Sequence, residues 1–184
     1  DDLLKLPGAT ALRERNAAVA SRYLTQLAQD GRVPVDVEHE IAVGFARFGN
    51  ARATSSGDGS GAVKAGDDGL LEGEKRLRDL VRRYPGRDDF RRDLAKILAW
   101  RSGVIAGELH DTKGARAALD ESMALDDGIL KRHPGDVDAA YNRWNTSIAL
   151  ADMYRHDGDM AAVKRVMEAA QVRFSGLATP AKYH

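Results

Sequence analysis

Tyr84-Pro85-Gly86 and His133-Pro134-Gly135 are two occurrences of one junction, and they decide how this chain of 184 residues folds. Each junction follows a basic helix end and precedes an acidic helix start. Proline cannot continue the first helix, and aspartate can cap the second and interact favourably with its dipole. The glycine is expected to take a positive φ as a helix C-cap. Pro34 also precedes a helical stretch. The three prolines, at 34, 85 and 134, are 51 and 49 residues apart (85 − 34 and 134 − 85). This period holds two helices and two turns, which predicts stacked helical hairpins.

Two further features recur in the same order along the chain. Small residues at Gly49, Gly103 and Ala151 lie 54 and 48 residues apart (103 − 49 and 151 − 103) inside predicted helices. Glycine inside a helix costs about 1 kcal/mol relative to alanine, so we expect a neighbouring helix to come close at these positions. The turn sequences 110–115 and 157–162 are also alike. The recurrence indicates internal duplication.

The spacing of apolar residues predicts seven helices and no sheet, because apolar side chains recur every three to four positions and never alternate. The predicted helices lie near residues 10–29, 36–52, 69–84, 88–109, 112–133, 136–156 and 159–175. Residues 53–68 are rich in glycine and serine and are expected to form a flexible loop. The sequence therefore predicts an all-α stack of antiparallel helical hairpins in one domain, residues 1–176, with a frayed tail at 177–184.

Individual helices also predict which side chains are buried. On the fifth helix the expected core residues are Ala115, Leu119, Leu125, Ile129 and Leu130. On the sixth helix they are Val137, Tyr141, Trp144, Ile148 and Ala151.

Composition excludes several classes of function. The chain has 28 basic and 28 acidic residues, so no net charge attracts nucleic acid or anionic lipid. It has no cysteine, which excludes disulfides and cysteine-ligated metal. No stretch approaches the roughly 18 apolar residues of a membrane span. The chain starts at Asp1 without methionine or a signal peptide, and we expect it to be part of a longer protein.

The motifs that could carry chemistry are incomplete. The stretch Gly57–Lys64 has the wrong glycine spacing for a phosphate-binding loop, and no strand precedes it. The five histidines fall mostly at helix ends or in turns, and none forms the i, i+4 pair of a helical zinc site. We therefore predict no catalytic residue, no cofactor and no metal.

The charged residues around Pro85 are mixed in sign. Nine basic residues lie from Lys75 to Lys96, and six acidic residues lie among and just before them, from Glu72 to Asp93. Such a mixture favours a solvated face with i, i+4 ion pairs over an anion-binding patch. Nucleic acid is therefore not an expected partner.

The two tryptophans have two interpretations. Trp100 adjoins Arg101, and Trp144 lies between Arg143 and Asn145. Helix pairs bury aromatic side chains routinely, but a groove-facing tryptophan beside an arginine also makes a natural peptide anchor. The candidate partner-binding residues are Arg47, Trp100, Arg101, Trp144 and Asn145.

Several segments resemble one family. Leu6–Thr10, followed by Arg13-Glu14 and Tyr23–Ala28, is similar to the start of the tetratricopeptide-like region that follows the kinase domain and membrane span in many bacterial transmembrane Ser/Thr protein kinases. Phe90–Ala95 looks like a helix opening of that region, and His110–Ala115 like its Gly-Asp-Thr-x-Gly-Ala turn. The resemblance covers roughly residues 4 to 175.

The chain departs from this family at two places and lacks the family's enzyme. In the last units, Asn145-Thr146 and Ala151 replace the family's usual small-residue pattern. Gly49-Asn50 is followed by the glycine- and serine-rich segment where the family commonly has a Gly-Asn-Pro stretch. No nucleotide loop, His-Arg-Asp or Asp-Phe-Gly motif of a kinase is present in the sequence.

The resemblance implies a tetratricopeptide-like α-solenoid and a sensing function. A protein or peptide would lie on its concave face, outside the cytoplasm, and the membrane would be involved only through a span absent from this sequence. A homodimer is a second kind of partner that the resemblance leaves open. The alternative is a cytoplasmic helical-repeat adaptor or assembly scaffold without signalling output.

Overall fold

The computed structural model describes Gln26 and residues 33–55, 60–107 and 110–175. These residues form helices and turns and contain no strand, which confirms the all-α prediction. The predicted helix near 10–29, apart from Gln26, and the predicted frayed tail lie outside the described residues. The helices are α1 Val35–Ser55, α2 Ser60–Arg83, α3 Asp88–Gly107, α4 Thr112–Arg132, α5 Val137–His156 and α6 Met160–Ser175.

The chain divides into two compact units, Asp1–Arg76 and Leu77–His184. The boundary falls between two residues of α2. The single domain expected over residues 1–176 stays a prediction.

The first unit contains a close approach of α1 to the first part of α2. A methyl group added at Gly49 would lie 2.5 Å from the Gly66 carbonyl oxygen and 2.5 Å from the Leu70 amide nitrogen. At Gly73 it would lie 2.7 Å from the Ala42 carbonyl oxygen. These distances are below van der Waals contact, so the two backbones touch where side chains would normally separate them.

This contact corrects the prediction of a loop at 53–68. Within the described residues, 53–55 belong to α1 and 60–68 belong to α2. Glycine disfavours an isolated helix, but Gly66, Gly69 and Gly73 recur at three- and four-residue spacing and share one face of α2. The close packing that this face permits offsets the low helix propensity.

Only part of the small-residue pattern predicted close approach correctly. Gly49 is at a helix contact, as expected, and Ala151 is buried. The prediction is wrong at Gly103, where an added methyl group would meet no atom of the described residues within 4 Å. Gly103 lies on the exposed side of α3, so close helix packing does not explain a glycine at this position of the repeat.

In the second unit, α3, α4, α5 and α6 pack in chain order, and α3 also contacts α5. The two predicted junctions have the same hydrogen bonds. Arg87 N donates to Tyr84 O at 3.1 Å, and Asp136 N donates to His133 O at 3.0 Å. Short connections between packed helices make α4 and α5 antiparallel neighbours.

The expected positive φ at the junction glycines is wrong. Among the described glycines only Gly158 has a positive φ, at 77°. Gly86 and Gly135 instead occupy the third position of a turn that begins at the residue before proline and is closed by a hydrogen bond between its first and last residues. That is a type I turn, in which proline sets the second position and no residue needs a positive φ.

Aspartates cap three successive helices of this unit. Each side chain accepts a hydrogen bond from a backbone amide three residues later, which satisfies one of the unpaired donors at the helix start. The pairs are Asp111 with Gly114 N at 2.8 Å, Asp136 with Ala139 N at 2.9 Å and Asp159 with Ala162 N at 2.9 Å.

Three ion pairs in the second unit each join a helix to the next but one. Their residues are 43, 44 and 46 positions apart, close to the repeat length of the sequence. The pairs are Arg78 with Glu121, Arg92 with Asp136 and Arg173 with Asp127. These pairs therefore link helices of the unit that are not consecutive in the chain. The tetratricopeptide-like superhelix itself stays a prediction.

The predicted core of α5 needs one correction. Tyr141 and Ile148 are 61% and 38% exposed, although the sequence placed them in the core. The buried positions of this helix are instead Ala139, Ala140, Thr146, Ser147, Leu150 and Ala151. Because α5 packs between α4 and α6, Leu150 and several small or hydroxyl side chains face its neighbours, whereas Tyr141 and Ile148 face solvent.

Candidate functional site

The second unit contains an open groove of about 420 Å³. It lies among α4, the turn at Pro134, α5 and α6, and we call it the α4–α6 groove. Its lining is mostly apolar with three cations and one carboxylate. The lining residues are Asp127, Leu130, Lys131, Pro134, Ala140, Arg143, Trp144, Ser147, Ala170, Arg173 and Phe174.

Two aromatic rings form one wall of the groove. Trp144 on α5 and Phe174 on α6 have ring centroids 5.4 Å apart and planes tilted by 41°. Trp144 is half-buried and Phe174 is 43% exposed. Neighbouring helices therefore hold the rings in place while part of their apolar surface stays in contact with solvent.

A shared carboxylate holds the two arginines of the groove. Asp127 Oδ1 accepts hydrogen bonds from Arg143 Nε at 3.1 Å and from Arg173 Nη1. Arg143 Nη1 also donates to Ser147 Oγ at 2.6 Å, and the Arg143 side chain is only 15% exposed. Arg143 is therefore fixed in one orientation, whereas Arg173 is 55% exposed and more accessible to a ligand.

A buried carboxyl lies next to this cluster in the sequence. Asp126 is fully buried, and its Oδ2 accepts a hydrogen bond from Asn142 Nδ2 at 2.6 Å. Its Oδ1 has no hydrogen-bond partner among the residues that the structure describes. Burial raises the pKa of Asp126 to about 7, against the opposing effects of the Asn142 hydrogen bond and the charge of Arg143. Asp126 is thus close to half-protonated at neutral pH.

Hydroxyl groups complete a polar layer between the helices. Ser122 Oγ donates to the Ala95 carbonyl at 2.7 Å and lies 3.3 Å from Thr146 Oγ1. Thr146 Oγ1 donates to the Asn142 carbonyl at 2.9 Å. Ser122 and Thr146 are fully buried, so this layer fixes the register of α3, α4 and α5.

The structure places the five predicted partner-binding residues in different surroundings. Trp144 lines the groove, and Asn145 is exposed beside it but does not line it. Trp100 and Arg101 are half-buried on α3, with the Lys96 ammonium 5.1 Å from the Trp100 ring centroid. Arg47 is exposed on α1, in the first unit. A role in partner binding stays a prediction for all five residues.

Sequence reasoning missed most of the groove. Asp127, Arg143, Arg173 and Phe174 were not among the candidates, although Arg143 directly precedes Trp144. The available signal was an arginine and a tryptophan adjacent on one helix, followed by an arginine and an aromatic on the next. The ion pair from Asp127 to Arg173 joins residues 46 positions apart, and no local pattern reveals it.

Within the described ranges, no three histidine, aspartate or glutamate side chains are placed to hold a metal ion. No helix in these ranges is both long and apolar enough to span a bilayer. Comparison of the chain with protein-family models, with curated proteins and with solved structures finds no match. The fold and site define a protein built from packed helical hairpins with an open aromatic and basic groove.

Proposed function

We propose that this chain is a non-catalytic protein-interaction module that binds a peptide segment of a partner in the α4–α6 groove. The observation that carries the proposal is the combination of Trp144, Phe174, the fixed Arg143 and the more exposed Arg173 in one open groove. Aromatic and arginine side chains dominate the energetics of protein interfaces, because they offer large contact areas and oriented donors.

The size and openness of the groove agree with this proposal. A volume of about 420 Å³ falls within the range of ligand sites, and one bulky side chain of a partner fits against the aromatic wall. Apart from the buried Ser147, the polar side chains of the groove are arginine, lysine and aspartate, which suits recognition of a charged segment.

Peptide selection on the 184-residue chain tests the proposal, with Trp144→Ala as the groove variant. We expect selected peptides to bind the variant roughly tenfold more weakly, because truncation removes the largest contact surface. Trp100→Ala is the matched control, since it removes the other half-buried tryptophan from a helix that does not line the groove. Phe174→Ala provides a second groove variant at a more exposed side chain.

Three results would count against this function or against the groove as its site. One is a selection that yields no binding peptide, and another is binding that survives both groove substitutions in variants with unchanged circular dichroism spectra. Equal losses in Trp144→Ala and Trp100→Ala would also count against the groove.

We further propose that the module serves as the extracytoplasmic sensor of a bacterial transmembrane Ser/Thr kinase, with the resemblance of Leu6–Thr10 and His110–Ala115 as its support. Occupancy of the groove would then change the kinase activity of the full-length protein. Autophosphorylation measured with and without a selected peptide tests this role. A full-length protein without kinase activity would favour the cytoplasmic adaptor.

A further inference from the structure

The charges of the α4–α6 groove are unequal. Lys131, Arg143 and Arg173 contribute three positive charges, and Asp127 contributes one negative charge. The whole chain has no net charge, so this excess of two is a local property of the groove. A ligand with carboxylates would complete the ion pairing.

The three cations differ in how many ion pairs and hydrogen bonds they already form within the protein. Arg143 is largely buried and bound to Asp127 and Ser147, so it acts as a fixed part of the wall. Lys131 is exposed and forms no ion pair with the described residues. Arg173 uses Nη1 for Asp127, which leaves most of its five N–H groups for another acceptor.

The apolar part of the groove favours a ligand that also has a bulky apolar side chain. Trp144 and Phe174 present aromatic surface, and Leu130, Pro134 and Ala170 extend the apolar lining. A purely polar anion would leave this surface in contact with water, whereas a bulky apolar side chain would cover it. Nucleic acid fits less well, because its phosphates require several cations without an intervening carboxylate.

We propose that the α4–α6 groove selects an acidic segment of a partner protein, in which one bulky apolar side chain packs on Trp144 and Phe174 while neighbouring carboxylates pair with Lys131 and Arg173. This inference rests on the proposed function, since it specifies the chemistry of the peptide. It assigns Lys131 and Arg173 as specificity-determining residues.

Fluorescence anisotropy with three labelled heptapeptides tests the selection. The acidic probe has a central phenylalanine flanked by two acidic residues on each side, the basic probe replaces these with lysine, and the third probe replaces phenylalanine with alanine in the acidic sequence. We expect the acidic phenylalanine probe to bind at least roughly fivefold more tightly than either of the others, and its affinity to fall as salt is raised.

Charge reversal at Lys131 tests whether a charge inside the groove affects peptide binding more than the same change elsewhere on the surface. Lys131→Glu should weaken binding of the acidic probe by about five- to tenfold and improve binding of the basic probe. Lys164→Glu is the matched control, because it makes the same charge change at an exposed residue of α6 outside the groove. Both side chains are exposed, so both variants should fold.

The outcomes distinguish the two proposals. Tight binding of peptides that depends on Trp144 but not on their charge would overturn the acidic selection and keep the peptide-binding function. Equal effects of Lys131→Glu and Lys164→Glu would likewise overturn it. Failure of all three probes, together with a peptide selection that yields nothing, would overturn both.

Discussion

Asp126 lies in a local environment that disfavours an ionised carboxylate. A carboxyl with no exposed surface, one hydrogen bond and one unpartnered oxygen is destabilising when it is ionised. The folded chain reduces this cost by binding a proton, since burial raises the pKa of Asp126 from 3.8 to about 7. Between these pH values the folded state holds more protons than the unfolded state. Stability therefore falls as pH rises from about 4 to about 7 and levels off above that.

Replacement of Asp126 by asparagine should remove most of this pH dependence. The amide is neutral at every pH, and its oxygen can accept the Asn142 hydrogen bond in place of Oδ2. We expect Asp126→Asn to match the parent near pH 4 and to be more stable by about 2 kcal/mol at pH 8, measured by urea unfolding.

Asp120→Asn is the control for Asp126→Asn, because Asp120 is exposed on the same helix. Parallel stability curves for the parent and Asp126→Asn across this pH range would contradict the role given to the buried carboxyl.

At the scale of the elements, glycine has opposite consequences in α1 and α3. Gly49 lies where α1 touches α2, and an added methyl group would overlap backbone atoms of the partner helix. Gly103 lies on the exposed side of α3 with open space around its Cα. The same residue type is thus a packing requirement in one helix and a cost in helix propensity in the other.

Alanine substitutions at these two glycines should change stability in opposite directions. Gly49→Ala should destabilise the chain by about 1 to 3 kcal/mol, because the helices must separate to admit the methyl group. Gly103→Ala should stabilise it by about 0.5 to 1 kcal/mol through helix propensity. Chemical unfolding followed by circular dichroism measures both, and a stabilising Gly49→Ala would refute the close contact of α1 with α2.

At the scale of the whole molecule, long-range ion pairs set the register of the second unit. Asp136 caps α5 and also accepts a hydrogen bond from Arg92 Nη2 at 2.5 Å, which joins α3 to the start of α5. Burial acts to raise the pKa of Asp136, but the hydrogen bonds from Arg92 and Ala139 N outweigh it and hold the pKa below its usual range. The stabilisation from this group is therefore present above about pH 4 and is lost as pH falls further.

The double role of Asp136 predicts a larger loss than a cap alone would give. Asp111→Ala should cost about 1 kcal/mol, because Asp111 caps α4 and forms no ion pair with the described residues. Asp136→Ala should cost about 2 to 3 kcal/mol, since it also removes the carboxylate partner of Arg92, whose buried Nε has no hydrogen-bond partner among the described residues. Urea unfolding at pH 7 measures both, and equal losses would show that the link from α3 to α5 adds nothing.

Local patterns in the sequence determined the helices. Apolar spacing and the turn residues at Pro85 and Pro134 predicted α3, α4, α5 and α6 to within two residues at each end, because capping and turn formation depend on neighbours along the chain. The same patterns failed for residues 60–68, where glycines form a helix only because α1 packs against them.

The tertiary structure alone decided the site. Trp144 could be chosen from the sequence, since it stands next to Arg143. Phe174, Arg173 and Asp127, which lie with Trp144 in the groove, come from two other helices. Which face of α5 is exposed to solvent followed from the packing of α4 and α6 against it. Periodicity fixes which residues share a face of a helix, but the neighbours that a folded chain places against that face determine whether it is core or surface.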